Sequence, residues 1–216
     1  MKVALCTPKR HMTLAHHFSS LIQLASRMRE LGHELVFFQQ VGCALLEHGR
    51  SSISTEAYEW GAEVQLFVDD DVVIGSPDSV IRLCEEAMKR ESLVAAPTLI
   101  SGGSRFNVSF LEENPFDPRR VVKASHCGMG CTAFHLSVVD RIVRYYDMKK
   151  VTFLEGKPKV LPLFRSILND AVWLGEDTSF CHRAIESSGE EHVWADTRCM
   201  PTHWGIHPYS MSKFEF

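Results

Sequence analysis

Four short apolar runs, at 2–6, 34–38, 63–68 and 93–96, alternate with three stretches of helical spacing near the start of this 216-residue chain. Apolar runs of this length fit strands that a packed sheet buries, and the helices between them return the chain so that successive strands lie parallel. In the first helical stretch, apolar residues fall at Leu14, Phe18, Leu21, Ile22, Ala25, Met28 and Leu31, and Gly32 supplies the stop. The second runs from Ala44 to Trp60 and ends at Gly61. The third carries Pro77 in its first turn and reaches about Arg90. The pattern predicts an α/β fold with a doubly wound, mostly parallel central sheet flanked by helices. In such sheets ligands bind at the carboxyl ends of the strands.

One of those ends is unusual. The run Val64-Gln65-Leu66-Phe67-Val68 closes on Asp69, Asp70 and Asp71. Three carboxylates about 5 Å apart repel by roughly 3 kcal/mol per pair at an effective dielectric near 20. A compensating cation, a bound substrate or full solvation must offset that repulsion. Residues i and i+2 of a strand share a side, so Asp69 and Asp71 are expected to share a site while Asp70 points elsewhere. That arrangement suits a divalent ion, since Mg²⁺ is held by one or two carboxylates together with substrate phosphates and water.

Composition narrows the function classes. A formal net charge of −4 argues against gripping nucleic acid chiefly by charge, which needs Lys/Arg-rich surfaces. Seven scattered cysteines, odd in number and mostly in apolar stretches, suggest reduced thiols in a cytoplasmic protein rather than a disulfide framework. His126, Cys127, Cys131, Cys199 and His203 match no zinc-binding spacing well. No run approaches the ~18–20 apolar residues of a membrane span, and the first apolar run is too short for a signal peptide.

Further along, Ser101-Gly102-Gly103-Ser104, Asn114-Pro115 and Asp117-Pro118 mark an irregular segment, functional or disordered by its length. A strand near 121–125 precedes Gly128-Met129-Gly130. A strand-like 131–134 and a helix from Ser137 to Tyr146 follow. The stretch 151–164, with Gly156 and Pro162, reads as a hairpin or mobile flap. A helix opens at Glu176 and stops at Gly189, and a strand at 192–195 leads to a closing loop with His203.

Four of these stretches, in order, resemble the nucleotide-sugar glycosyltransferases of the GT-A fold, in particular small bacterial and phage-borne members related to glycosyltransferase family 2. The first runs from Gly49-Arg50-Ser51-Ser52 through Gly61-Ala62-Glu63 to the Asp-x-Asp strand end, Val68-Asp69-Asp70-Asp71. The second is Gly128-Met129-Gly130-Cys131-Thr132-Ala133-Phe134. The third is Gly175-Glu176-Asp177-Thr178-Ser179-Phe180, and the fourth Thr202-His203-Trp204-Gly205. The resemblance implies a single GT-A (Rossmann-like) domain over 1–216, with a nucleotide-sugar half at 1–99 and an acceptor and catalytic half at 100–216. It implies that Asp71 and His203 ligate Mn²⁺ or Mg²⁺, with Asp69 touching the ribose or sharing the metal.

Thr7, Pro8, Arg50, Asp69 and Asp70 are the residues expected on the nucleotide-sugar donor, UDP- or GDP-linked. Gly128, Met129, Gly130 and Trp173 are expected on the acceptor side. Asp177 is the expected base that takes the acceptor hydroxyl proton, with Glu176 beside it. The hydroxyl acceptor is left open among a protein, a glycan and a hydroxymethylated DNA base. Two other readings compete. A sugar-phosphate nucleotidyltransferase would carry a Gly-rich loop after the first strand, where this chain has Thr7-Pro8-Lys9-Arg10. A carbohydrate-binding module would keep the fold without turnover.

Overall fold

Val3 and Leu5 face one side of the first strand and Ala4 and Cys6 the other, and all four are fully buried. The strand therefore needs cover on both faces. In the computed structural model, which describes residues 1–9, 15–42, 45–100, 105–153, 156, 158–204 and 208–209, helices supply it. The strands are β1 (Lys2–Lys9), β2 (Glu34–Val41), β3 (Val64–Val68), β4 (Val72–Val73), β5 (Leu93–Ala95), β6 (Val108–Phe110), β7 (Val121–Cys127), β8 (Cys131–His135), β9 (Ile167–Asn169), β10 (Val172–Leu174), β11 (Val193–Asp196), β12 (Thr202–Trp204) and β13 (Pro208–Tyr209). The helices are α1 (Ala15–Glu30), α2 (Leu46–Trp60), α3 (Pro77–Arg90), α4 (Leu136–Tyr145) and α5 (Glu176–Ser188).

Eight strands form one sheet in the order β2-β1-β3-β8-β5-β11-β7-β6. The pairings leave β8 and β7 running against the other six strands, so the sheet is mixed but mostly of one direction. Leu21, Leu24 and Met28 of α1 and Val80, Ile81 and Leu83 of α3 cover one face. Ile53 of α2, Val138 and Ile142 of α4 and Phe180 of α5 cover the other. The layered, doubly wound α/β architecture expected from the strand and helix alternation is the one observed.

Local chemistry sets the element ends. Gly61, at φ 76°, closes α2 in the left-handed conformation that glycine takes without steric cost. Pro77 opens α3, where a missing N–H leaves nothing unsatisfied. Pro8 lies inside β1, which runs beyond the apolar stretch read at 2–6. The strand continues to Lys9, because beyond Cys6 it pairs with β2 alone, and a proline is tolerated on a half-open edge. Of the hairpin or flap read at 151–164, the antiparallel exchange of backbone hydrogen bonds between Val151 and Val160 fits the hairpin, and the buried end of the stretch does not fit a flap. Val160, Leu161, Leu163 and Phe164 are buried, with the Leu161 and Phe164 N–H groups donating to Thr55 Oγ1 and Ser51 Oγ of α2. The irregular 100–120 segment contains β6, although residues 101–104 lie outside the described residues.

Among the described residues no helix is long and apolar enough to cross a membrane. Cys6, Cys84, Cys127, Cys131, Cys181 and Cys199 are all unbridged and buried. Beneath the carboxyl ends of the strands, Phe180 stacks on Phe164 at 4.4 Å between ring centroids and meets Phe134 at 4.9 Å. Phe180→Ala should therefore destabilise the protein by about 3–5 kcal/mol in urea unfolding. A loss below about 1 kcal/mol would mean that these rings do not support the fold.

Candidate active site

In a strand–helix–strand unit the helix runs back against the strands, so its amino end lies beside their carboxyl ends. This places the second turn of α2 next to the end of β3. Arg50 follows on the buried face that Ile53 and Ala57 continue, and its side chain is 2% exposed. Nη2 donates to both Asp69 oxygens, at 3.0 and 2.9 Å. Nη1 donates to Glu176 Oε1 at 3.0 Å and to Asp177 Oδ1. Glu176 and Asp177 form the first turn of α5, where the helix dipole favours acidic residues. One guanidinium thus lies beneath three carboxylates brought from two distant parts of the chain.

Charge follows from this arrangement. Burial alone would lower the Arg50 pKa, but Asp69, Asp177 and Glu176 outweigh it and the guanidinium is held firmly protonated. Asp177 moves the other way. Burial, with Asp69 and Glu176 adding to it, pushes its carboxyl up to about 6 against the pull of Arg50 and of the Met129 N–H. That N–H donates to Asp177 Oδ2 at 3.1 Å.

The acidic triplet does not extend β3 as a strand. The Val72 N–H donates to the Asp69 carbonyl at 3.0 Å, so Asp69 to Val72 form a tight turn. Both Asp69 and Asp71 still line the cleft, as expected, but the turn rather than strand alternation brings them there. The turn is fixed from outside. β4, just after it, pairs antiparallel with β12, which sets His203 opposite Val72. His17 of α1 donates from Nδ1 to the Val72 carbonyl at 2.6 Å, and the neighbouring His16 stacks on Trp204.

His203 Nε2 lies 3.0 Å from Asp71 Oδ2, across 132 positions of sequence. Nδ1 faces the Leu99 carbonyl at 3.0 Å and must donate to it, so that nitrogen carries a proton. Nε2 then has two options. It holds a second proton toward Asp71, consistent with a pKa raised mainly by that carboxylate. Otherwise it turns its lone pair toward a cation that Asp71 shares. A hydrogen-bonded imidazole facing a carboxylate is a donor set that fits Mn²⁺ or Mg²⁺ with oxygen ligands completing the shell. Among the described residues no three His, Cys, Asp or Glu side chains form a closed metal cage. An ion here would depend on ligands from a substrate or water.

Asp69, Asp71, Val72, Thr98, Ile100, Asn107, Gly128, Gly130, Asp177 and His203 line a cleft of about 160 Å³. Gly128 fits because it lacks a side chain: a Cβ there would meet Asn107 at 3.2 Å and Asp177 Oδ2 at 3.4 Å. Asn107 and Thr98 were not foreseen. They hold each other through Asn107 Oδ1, which accepts the Thr98 N–H at 2.8 Å, and through the Asn107 N–H on the Thr98 carbonyl. The irregular segment around them was the only sequence signal. A larger groove of about 810 Å³ between α1 and β2 is lined mainly by apolar groups such as Phe18, Ile22 and Phe37, and lacks the carboxylates that reaction chemistry needs.

Other expected residues lie elsewhere. Thr7 and Pro8 are buried in β1 and do not line the cleft, and Thr7 Oγ1 has no hydrogen-bond partner among the described residues. Arg50, expected on the nucleotide, lies under the carboxylates. Asp70 is on the turn but outside the cleft lining. Met129 is buried and contributes its backbone N–H. Trp173 is 72% exposed on the β9–β10 hairpin. Ser179 Oγ ties the base of that hairpin to α5 by accepting the Ile167 N–H and donating to the Leu174 carbonyl.

No family model matches the chain, and no curated protein matches it significantly. Among solved structures, the crystal structure of A197 from STIV superposes with a TM-score of 0.61 at 14% identity, over 95% of this chain and 86% of that one. GalNAc-T7 with UDP, GalNAc and Mn²⁺ gives 0.49 at 10% identity, over 90% and 42%. S. aureus TarS in complex with UDP-GlcNAc gives 0.45 at 13% identity, over 100% and 62%. The chain spans less than two thirds of these last two structures. The mixed sheet and its flanking helices are a Rossmann-like, doubly wound α/β fold, which the chain shares with A197 over nearly all of its length.

The Asp177 shift carries a stability consequence. Its folded pKa of about 6 exceeds the ordinary 3.8, so the folded state binds the extra proton between those values. Stability linked to this group is fully present below about pH 3.8 and is lost as pH rises through about 6. Asp177→Asn should therefore stabilise the protein at pH 8 by up to about 2–3 kcal/mol, with the gain vanishing near pH 4. Urea unfolding at the two pH values measures it, and equal effects at both would contradict the shift.

Proposed function

We propose that the protein is a metal-dependent glycosyltransferase that moves a sugar from a nucleoside-diphosphate sugar, UDP- or GDP-linked, to a hydroxyl acceptor. The observation that carries this reading is the meeting of Asp71 and His203 in the same cleft as Asp177. An open cation site and a carboxylate poised near neutrality are what such a transfer requires at one place.

In this reading Asp71 and His203 hold Mn²⁺ or Mg²⁺. The ion would supply Lewis-acid stabilisation of the diphosphate leaving group. Residues 1–99 form the donor half and residues 100–216 the acceptor and catalytic half. Asp69, oriented by Arg50, faces the donor. Asp177 accepts the proton of the acceptor hydroxyl, and a pKa of about 6 leaves it mostly ionised at pH 7 while keeping it a competent base. The Met129 N–H keeps one of its oxygens aimed into the cleft. Gly128 and Gly130 leave room for the acceptor, and exposed Trp173 offers it an aromatic face. The net charge of −4 and the acidic cleft favour a protein or glycan acceptor over a DNA base.

Release of nucleoside diphosphate from UDP- and GDP-sugars, with and without Mn²⁺, tests the proposal. Wild-type protein should release it only with metal, and Asp71→Asn or His203→Ala should raise the metal concentration needed by about 10–100-fold. No metal-dependent release or binding of any nucleoside diphosphate would end this reading. The rate should fall below pH 6 as Asp177 takes up a proton, with an acidic midpoint near 6. A profile flat from pH 5 to 8 would remove Asp177 as the base.

A further inference from the structure

We infer that Arg50 is a positioning residue that locks the donor-side carboxylate and the base into one unit, rather than a ligand of the nucleotide. The inference rests on the glycosyltransferase reading, because it gives Asp69 and Asp177 their roles. Its grounds are geometric. One planar fork takes both oxygens of Asp69 on Nη2 and takes Glu176 and Asp177 on Nη1. The side chain is 2% exposed, and no donor approaching from the cleft can reach the guanidinium without first displacing a carboxylate. Of the three carboxylates, Asp69 and Asp177, each about a quarter exposed, line the cleft that a substrate meets.

A rigid fork fixes the spacing of the groups it bridges, which a single ammonium on a flexible stem does not. The end of β3 and the first turn of α5 are therefore held at one separation by a residue that belongs to neither. Movement of Asp69 toward a bound donor changes the share of Arg50 charge that falls on Asp177. The groups facing Asp177 are Arg50 from α2, Asp69 from the turn after β3, Glu176 from its own helix, the Met129 N–H and the buried Cys127 thiol. Among these, Arg50 is the cation.

The experiment compares wild type, Arg50→Lys and Asp69→Asn for Mn²⁺-dependent hydrolysis of a UDP- and GDP-sugar panel, as a function of pH. Arg50→Lys should lower kcat about 100-fold, the scale of a 1 Å misplacement, with donor KM changed less than threefold. Its acidic midpoint should rise, whereas that of Asp69→Asn should fall, because the freed guanidinium then serves Asp177 and Glu176 alone. A merely structural role would move neither midpoint. A raised donor KM with unchanged kcat would make Arg50 a donor ligand and overturn the inference, as would midpoints that stay in place. Should Arg50→Lys fail to fold, the Asp69→Asn midpoint decides alone. Wild-type protein that hydrolyses no nucleotide sugar removes the underlying reading instead, so the two failures are distinguishable.

Discussion

One buried cation beneath three carboxylates is the constraint on which the site depends. Taking a guanidinium out of water is costly, and so is crowding acids at the end of a sheet; each is tolerable here because it compensates the other. The pairing is incomplete, since three negative groups meet one positive group. The remaining negative charge faces the cleft, where it favours cations and disfavours polyanions. Burial first, and then the neighbouring Asp69 and Glu176 carboxylates, hold the Asp177 carboxyl above the ordinary carboxylate range.

The fold supplies the positions without supplying the chemistry. α2 and α5 both run back against the main strand direction, so their amino ends arrive beside the carboxyl ends of the strands. There the Phe67, Phe134, Phe164 and Phe180 rings form the floor below the polar layer. The second half of the cleft depends on the small β13-β12-β4 sheet. It holds the acidic turn from one side while His17 holds it from the other. Asp71 and His203 meet because that short pairing sets His203 opposite Val72, the residue next to Asp71.

Much of the fold was legible along the chain. The repeats of 2 and 3.6 residues placed the main strands and helices, with Pro77 and Gly61 marking ends that the structure keeps. The misses share a cause. β4, β9, β10, β12 and β13 are two or three residues long, and such strands exist only through their partners. The segment at 160–164 lacks periodicity because it packs as irregular chain against α2. Asn107 and Thr98 carried no motif, and they are held at the cleft by the hydrogen bonds they make to each other.

By itself the sequence determined the alternating α/β order, the acidic strand end, the acidic first turn of α5 and the presence of a histidine near the close of the chain. All of these are local patterns, set by which side of an element must be apolar and which residue types suit its ends. Only the tertiary structure decided that Arg50 lies under the carboxylates of Asp69, Glu176 and Asp177. It alone decided that Asp69 and Asp71 reach one cleft through a turn, and that Thr7 and Pro8 stay inside the sheet. Those outcomes depend on which strands pair and in what register, over separations of more than a hundred residues. Such pairing is a cooperative property of the whole packed core, and no short window of sequence contains it.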